Sequence, residues 1–321
     1  MRMEINYNSA AALESFLKTE SLGMRKRYGQ NFLINPDIRL RLAAALEAEA
    51  GDALWEIGPG LGAMTRLLLD REFHVRAFEI DPGFIKILHG LFDNDAGFTL
   101  VEGDVLKTWQ AQASAPFLLG NLPYNIAAAL MGDMIEKRRF FRRMVVTVQK
   151  ELAQRMAAQP GTEHYSSFSV LCASVYRIKK LMNIHHSSFY PRPHVDSCGV
   201  KLELKADSRR YPPLFYPLVR GLFSSRRKII RNNLHDFLSS LPARNDAGTS
   251  PRNTEEMCAH ILAENRLSGT ERAENLDIEA FFGLAQSLHD TQDLRYDIAF
   301  EGKTEAYSDY REKVPKGKKE E

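Results

Sequence analysis

Cysteine is scarce in this chain of 321 residues: Cys172, Cys198 and Cys258 lie far apart, and none shares a Cys-x-x-Cys spacing. That argues against a disulfide framework or a cysteine-built zinc site, so no metal is expected, and a reduced cytoplasmic setting fits. An excess of either charge is missing too. With 43 Lys and Arg against 41 Asp and Glu the formal net charge is +2, so a nucleic-acid partner has to be argued from local clusters. Met1 to Lys18 lacks the basic-then-apolar order of a secretion signal and carries Glu4, Asn6 and Glu14. Long hydrophobic runs are absent. The longest apolar region, Phe117 to Ile135, is broken by Asn121, Pro123, Asn125 and Asp133, so no membrane partner is expected.

What is present is an alternation of short apolar runs with helix-like stretches, as in α/β folds. Ala53 to Ile57 reads as a strand that delivers Gly58-Pro59-Gly60-Leu61-Gly62 into a helix reaching about Arg71. Glycines at a strand-to-helix turn let backbone approach a ligand closely. The Gly-x-Gly-x-Gly spacing differs from the Gly-x-Gly-x-x-Gly of dinucleotide sites, which disfavours a nicotinamide oxidoreductase. A second strand, His74 to Ile80, places Glu79 about 20 residues past the loop, where a carboxylate accepts hydrogen bonds from ribose hydroxyls. Asp81-Pro82 reads as the cap and first residue of the next helix, which leaves Glu79 for a ligand. The third strand, Phe98 to Glu102, closes on Gly103-Asp104, and Asp104 is placed to accept from an adenine amine.

The stretch Pro116-Phe-Leu-Leu-Gly-Asn-Leu-Pro-Tyr124 stands at the centre of this pattern. A buried strand, Phe117 to Leu119, releases Asn121, Pro123 and Tyr124 at its carboxyl end, the edge where open α/β sheets bind ligands. An amide oxygen, a stiff proline and a flat ring together suit an exocyclic amine on a planar base. Further on, Lys179 to Phe189 and Val195 to Leu204 alternate like two antiparallel strands around Tyr190-Pro191-Arg192-Pro193, and Phe189 is expected to face the crevice. Near Ala206 the pattern turns helical. Ser224 to Leu234 reads as one helix with a buried and a cationic side, and no acid occurs from Arg220 through His235; such a face suits a phosphate backbone. Arg25, Lys26 and Arg27 make a second basic cluster, just ahead of Gln30 and Asn31.

Taken in order, Gly29-Gln30-Asn31-Phe32-Leu33, Glu56 to Gly62, Glu79-Ile80-Asp81, Gly103-Asp104, Asn121 to Tyr124, Phe189 to Ser197 and Arg226 to Leu234 resemble the ribosomal RNA adenine N6,N6-dimethyltransferase family. The likeness is greatest to its bacterial small-subunit (16S) branch and runs from about Leu13 to Leu288. It implies an α/β, Rossmann-like class I S-adenosylmethionine-dependent methyltransferase domain over 1–206. A small all-helical domain over 207–289 then binds RNA or the ribosome, and a polar, disordered tail follows over 290–321. It implies S-adenosyl-L-methionine as cofactor, with contacts from Asn31, Leu33, Gly58, Glu79, Asp104 and Asn121. The implied partner is 16S rRNA in an immature small subunit, bound by a monomer through Arg25, Lys26, Arg27, Arg226, Arg227, Lys228 and Arg231. The catalytic set is Asn121 and the Leu122 carbonyl, accepting the two N6 hydrogens, with Tyr124 and Phe189 stacked on either face of the adenine. Methylation of 23S rRNA, as by the resistance-type relatives, and a ribosome-assembly factor whose catalysis is dispensable are the alternatives.

Overall fold

Strands in the middle of the chain are apolar on both faces because both faces are covered. Leu54 turns to one hydrophobic cluster and Trp55 and Ile57 to the other; Phe117 and Leu119 alternate with Leu118, and Val145 with Met144 and Val146, in the same way. The computed structural model describes residues 4–23, 29–208, 211–241 and 254–290. The chain opens with α1 (Ala10–Thr19), β1 (Phe32–Leu33) and α2 (Pro36–Ala44), then alternates through β2 (Ala53–Ile57), α3 (Ala63–Leu69), β3 (His74–Glu79), α4 (Pro82–Phe92) and β4 (Phe98–Glu102). It continues with α5 (Val105–Thr108), β5 (Phe117–Asn121), α6 (Ala127–Glu136), β6 (Arg143–Gln149), α7 (Lys150–Met156) and α8 (Ser167–Val175). Last come β7 (Tyr176–Ile184), β8 (Phe189–Tyr190), β9 (Ser197–Leu204) and the helices α9 (Phe215–Phe223), α10 (Ile230–Ser240), α11 (Thr254–Glu264) and α12 (Ile278–Asp290).

The main sheet has the order β4-β3-β2-β5-β6-β9-β7. β2, β3, β4, β5 and β6 run parallel, and β9 is antiparallel to both β6 and β7. The order reverses between β2 and β5, which opens a crevice at their carboxyl ends. Local capping chemistry fixes the helices that border it. Asn35 accepts from the Ile38 N–H with Pro36 in the first turn of α2, and Asp81 does the same for the Gly83 N–H ahead of Pro82 in α4.

Two expectations are corrected. The chain leaves the sheet at Ile184, makes a short 3-10 turn at His186–Ser188, and pairs Phe189 with Leu33 in a separate two-stranded ladder. Phe189 is therefore 1% exposed, inside the cluster that holds Leu33 and Leu42, and its ring does not face the crevice. The basic stretch after Phe223 is not one helix either. Arg226, Arg227 and Lys228 sit in a turn, and only Arg231 lies on α10. Asn233 explains the break: its side-chain amide donates to the Leu222 and Ser225 carbonyls, satisfying the end of α9 in place of a continuing helix.

The boundary expected near 206 falls in the connection between β9 and α9, but the apolar core does not divide there. One cluster runs from Trp55, Phe141 and Val146 through Phe168 and Val175 to Phe215, Leu234, Phe281 and Leu288. The linker 242–253 and the tail 291–321 lie outside the described residues. Among the described residues no helix is long and apolar enough to cross a membrane.

Candidate active site

The turn after β2 is built so that backbone, not side chain, meets whatever enters the crevice. Gly58, Gly60 and Gly62 have φ of +69°, +59° and +85°, a region costly to residues with a Cβ. A Cβ on Gly60 would stand 2.9 Å from the Phe32 ring, and one on Gly62 2.5 Å from Phe92. Glu79, at the end of β3, ties this turn to the next. Its Oε2 accepts from the Gly60 N–H at 3.1 Å and its Oε1 from the N–H groups of Ile80 and Asp81, both at 2.9 Å. The carboxyl is 6% exposed, and burial lifts its pKa to about 7 against the pull of those donors. Asp104 caps α5 through Oδ1 to the Leu106 N–H at 3.0 Å.

Gly58, Glu79, Asp104, Asn31 and Asn121 line one crevice of about 1020 Å³, with Phe78, Ile80, Val105 and Ile126 as its apolar walls. A crevice with apolar walls and the carboxylates of Glu79 and Asp104 on its lining fits a nucleoside. A second cavity of about 660 Å³ opens behind Gly58 and shares Asn31, Phe32 and Asn121 with the first; Leu33 belongs to it. Glu56 lines this inner cavity, bonded to the Thr65 hydroxyl at 2.7 Å, and complete burial pushes its pKa to about 8.

Asn121 stands where the two cavities meet. Its Nδ2 donates to the Asn31 carbonyl at 2.6 Å. A carbonyl oxygen only accepts, so the amide orientation is settled, and Oδ1 is left as an acceptor. The Leu122 side chain is buried in the core and its N–H donates to the Thr147 carbonyl at 3.1 Å, so its own carbonyl is the group it offers. Tyr124 does not line the crevice. It is half-buried between Pro123 and Asn125, which do line it; its hydroxyl and the fully buried Ser197 Oγ lie 2.6 Å apart, and burial raises its pKa.

Three groups outside the expected catalytic and cofactor-binding residues hold this arrangement. Ser197 anchors Tyr124, and Gln30 Nε2 donates to the Asp81 carboxylate at 2.9 Å, fastening the Gly29–Asn31 loop to α4. Arg39, 7% exposed, donates to the carbonyls of Leu33 and Tyr7 and to Asn8, which pins the N-terminal segment over the inner cavity. Gln30 and Ser197 carried a signal, since each sits inside a recognised motif, although the motif does not say what either side chain binds; Arg39 carried none, because its partners are distant in sequence.

The basic residues are less exposed electrically than their sequence implied. Arg226 pairs with Glu274 at 3.1 Å, Lys228 with Asp236 at 3.0 Å, and Arg231 with Glu255. Arg227 is exposed without an ion-pair partner among the described residues. Arg25, Lys26 and Arg27 lie outside the described residues.

This sheet order, with the glycine turn and the acidic strand ends around one crevice, is the fold of the class I S-adenosylmethionine-dependent methyltransferases. Residues 22–277 match the family described as ribosomal RNA adenine dimethylase, and the chain belongs to that family. It is 44% identical over 288 residues to the ribosomal RNA small subunit methyltransferase A of Treponema pallidum, covering 88% of this chain and 97% of the relative. Identity to the protein of the same name from Borreliella burgdorferi is 36% over 292 residues, covering 90% and 97%. Among solved structures, a dimethyladenosine transferase from Plasmodium falciparum matches with TM-score 0.70 at 28% identity, covering 79% of this chain and 96% of that one. The 23S rRNA methyltransferase ErmE matches with TM-score 0.55 at 21% identity, covering 80% and 99%, a likeness of fold.

Proposed function

We propose that this chain dimethylates N6 of two adjacent adenines in the 3′-terminal hairpin of 16S rRNA, acting on the immature small subunit with S-adenosyl-L-methionine as methyl donor. The single observation that carries this reading is the Asn121 amide: its nitrogen is committed to Asn31 and its oxygen left to accept, beside Gly58 and Glu79. The names of the relatives favour the small subunit over 23S rRNA.

Glu79 would take the ribose hydroxyls, Asp104 the adenine amine, and Gly58 with Asn31 and Leu33 the amino-acid end of the donor. The bound donor supplies an electrophilic sulfonium methyl. An adenine N6 is a poor nucleophile because its lone pair is delocalised into the ring. Asn121 Oδ1 and the Leu122 carbonyl, each accepting one N6 hydrogen, favour a tetrahedral nitrogen with its lone pair free. No general base is needed before transfer, since the methylated nitrogen sheds its surplus proton to water afterwards; positioning and fixed dipoles do the catalysis. The target base must leave its stack, and Tyr124 offers it a ring worth about 1–3 kcal/mol. Phe189, buried against Leu33, is withdrawn from the stacking role.

Radiolabel transfer to immature small subunits tests the reading. Asn121→Ala should lower turnover by about 10²–10³-fold, the usual cost of one preorganised polar group, with native circular dichroism. Near-normal transfer by a folded variant would remove Asn121 from the chemistry. Unmethylated adenines in 16S rRNA from cells lacking the chain, seen by mass spectrometry, would establish the substrate; full methylation there would refute it.

A further inference from the structure

Outside the crevice, the fold brings two imidazoles and a carboxylate together where the chain returns to the sheet. His185 and His186 follow the end of β7, Asp196 immediately precedes β9, and one ligand atom from each lies within 4.8 Å of the others. The two rings are in contact, with centroids 3.9 Å apart. Asp196 is held in place before any ion arrives. Its Oδ1 accepts from the His186 N–H at 3.0 Å and lies 3.2 Å from His186 Nδ1, and its carbonyl accepts from the Lys150 N–H at 3.0 Å. His185 Nδ1 is 2.8 Å from the Ser187 hydroxyl, which leaves Nε2 as the open nitrogen of that ring.

We propose that His185, His186 and Asp196 form a binding site for a divalent transition metal, with Zn²⁺ the best-fitting ion. Two imidazoles and one carboxylate are a three-ligand zinc set, completed by water. Zinc–ligand distances of about 2.0–2.2 Å put tetrahedral neighbours roughly 3.4 Å apart. Modest rotations of partly exposed side chains close the remaining gap. Mg²⁺ and Ca²⁺ prefer oxygen ligands and are not suited to the site. The expectation of no metal rested on cysteine spacing, and this cluster contains no cysteine.

The position gives the ion something to act on. It bridges both ends of the segment 187–195, and Asp196 is followed by Ser197, whose Oγ lies 2.6 Å from the hydroxyl of Tyr124, next to the crevice-lining Pro123 and Asn125. None of the three ligands lines the cofactor crevice. A bound ion therefore stiffens the support of Tyr124 without touching the cofactor site.

The test is titration of the untagged full-length protein with ZnCl₂ by calorimetry, with circular dichroism on every variant. One equivalent should bind, and His186→Ala and His185→Ala should each weaken binding by more than about tenfold. His89→Ala should not, although His89 also faces two carboxylates, Asp93 and Glu102. Asp196→Asn, which keeps the shape of the side chain, should weaken zinc as well. No stoichiometric binding, or wild-type affinity in folded His185→Ala and His186→Ala proteins, would overturn the site. Equal binding of Mg²⁺ would overturn the assignment to a transition metal.

Discussion

At the scale of single residues, Glu79 shows how burial and function pull on one carboxyl. Three backbone N–H groups favour its charged form, yet burial outweighs them and lifts its pKa from 4.5 to about 7. In the proposed role, ribose hydroxyls donate to it, and its charged form is the stronger acceptor. Affinity for S-adenosyl-L-methionine should therefore rise as pH goes from 6 to 8, by up to about tenfold per unit below the pKa and little above it. Glu79→Gln should bind weakly with a flat profile, which calorimetry across that range would show; a wild-type slope in the variant would place the titrating group elsewhere. For the fold itself the sign is opposite. A carboxyl whose folded pKa is raised contributes stability below about 4.5, and that contribution is lost as pH rises through about 7 for Glu79 and about 8 for Glu56. Cofactor binding and bare stability thus respond to pH in opposite directions.

At the scale of elements, what was legible in the sequence was what is local. The glycine turn, the Asn35 and Asp81 caps and the strand ends at Glu79, Asp104 and Asn121 are set by residues within a few positions of each other. Phe189 was misread because its ladder pairs it with Leu33, far back in the chain, and no periodicity around Phe189 reports that. The basic turn was misread for the same reason. No acid lies between Arg220 and His235, but the partners come from just past that window and from later helices: Asp236, Glu255 and Glu274. Exposed ion pairs contribute little to stability, about 0–1 kcal/mol, but they do engage the cations. Among the described residues Arg227 is the cation of this turn without an ion-pair partner, so on the proposed RNA-binding role it would meet phosphate without first leaving one. Arg227→Ala should weaken RNA binding and reduce the slope of log affinity against log salt by about 1. Arg231→Ala should change both less. A filter-binding salt series on the two variants compares them, and an equal loss would mean that the ion pair with Glu255 gives way on binding.

At the scale of the whole molecule, the change from sheet to helices near residue 206 is a change of element type rather than of core. Phe168 and Val175 on α8 share one apolar cluster with Trp55 and Val146 of the sheet and with Phe215, Leu218 and Phe281 of the last helices. Tyr165 donates its hydroxyl to the Leu276 carbonyl at 2.9 Å, a buried bond that joins the segment before α8 to the segment before α12. Removing residues 207–290 would uncover the α8 side of that cluster to water. Each large apolar side chain so exposed costs about 1.5–3 kcal/mol, so a handful together are comparable to the net stability of an ordinary domain, about 5–15 kcal/mol. The described helices and sheet should therefore unfold as one unit. Calorimetry of the full chain should give a single transition with calorimetric and van't Hoff enthalpies in agreement, and a fragment ending at residue 206 should bind a hydrophobic dye and lack a cooperative transition. Two resolved transitions, or a fragment that melts sharply and still binds S-adenosyl-L-methionine, would show that the sheet holds its own core and that the helices are an independent attachment.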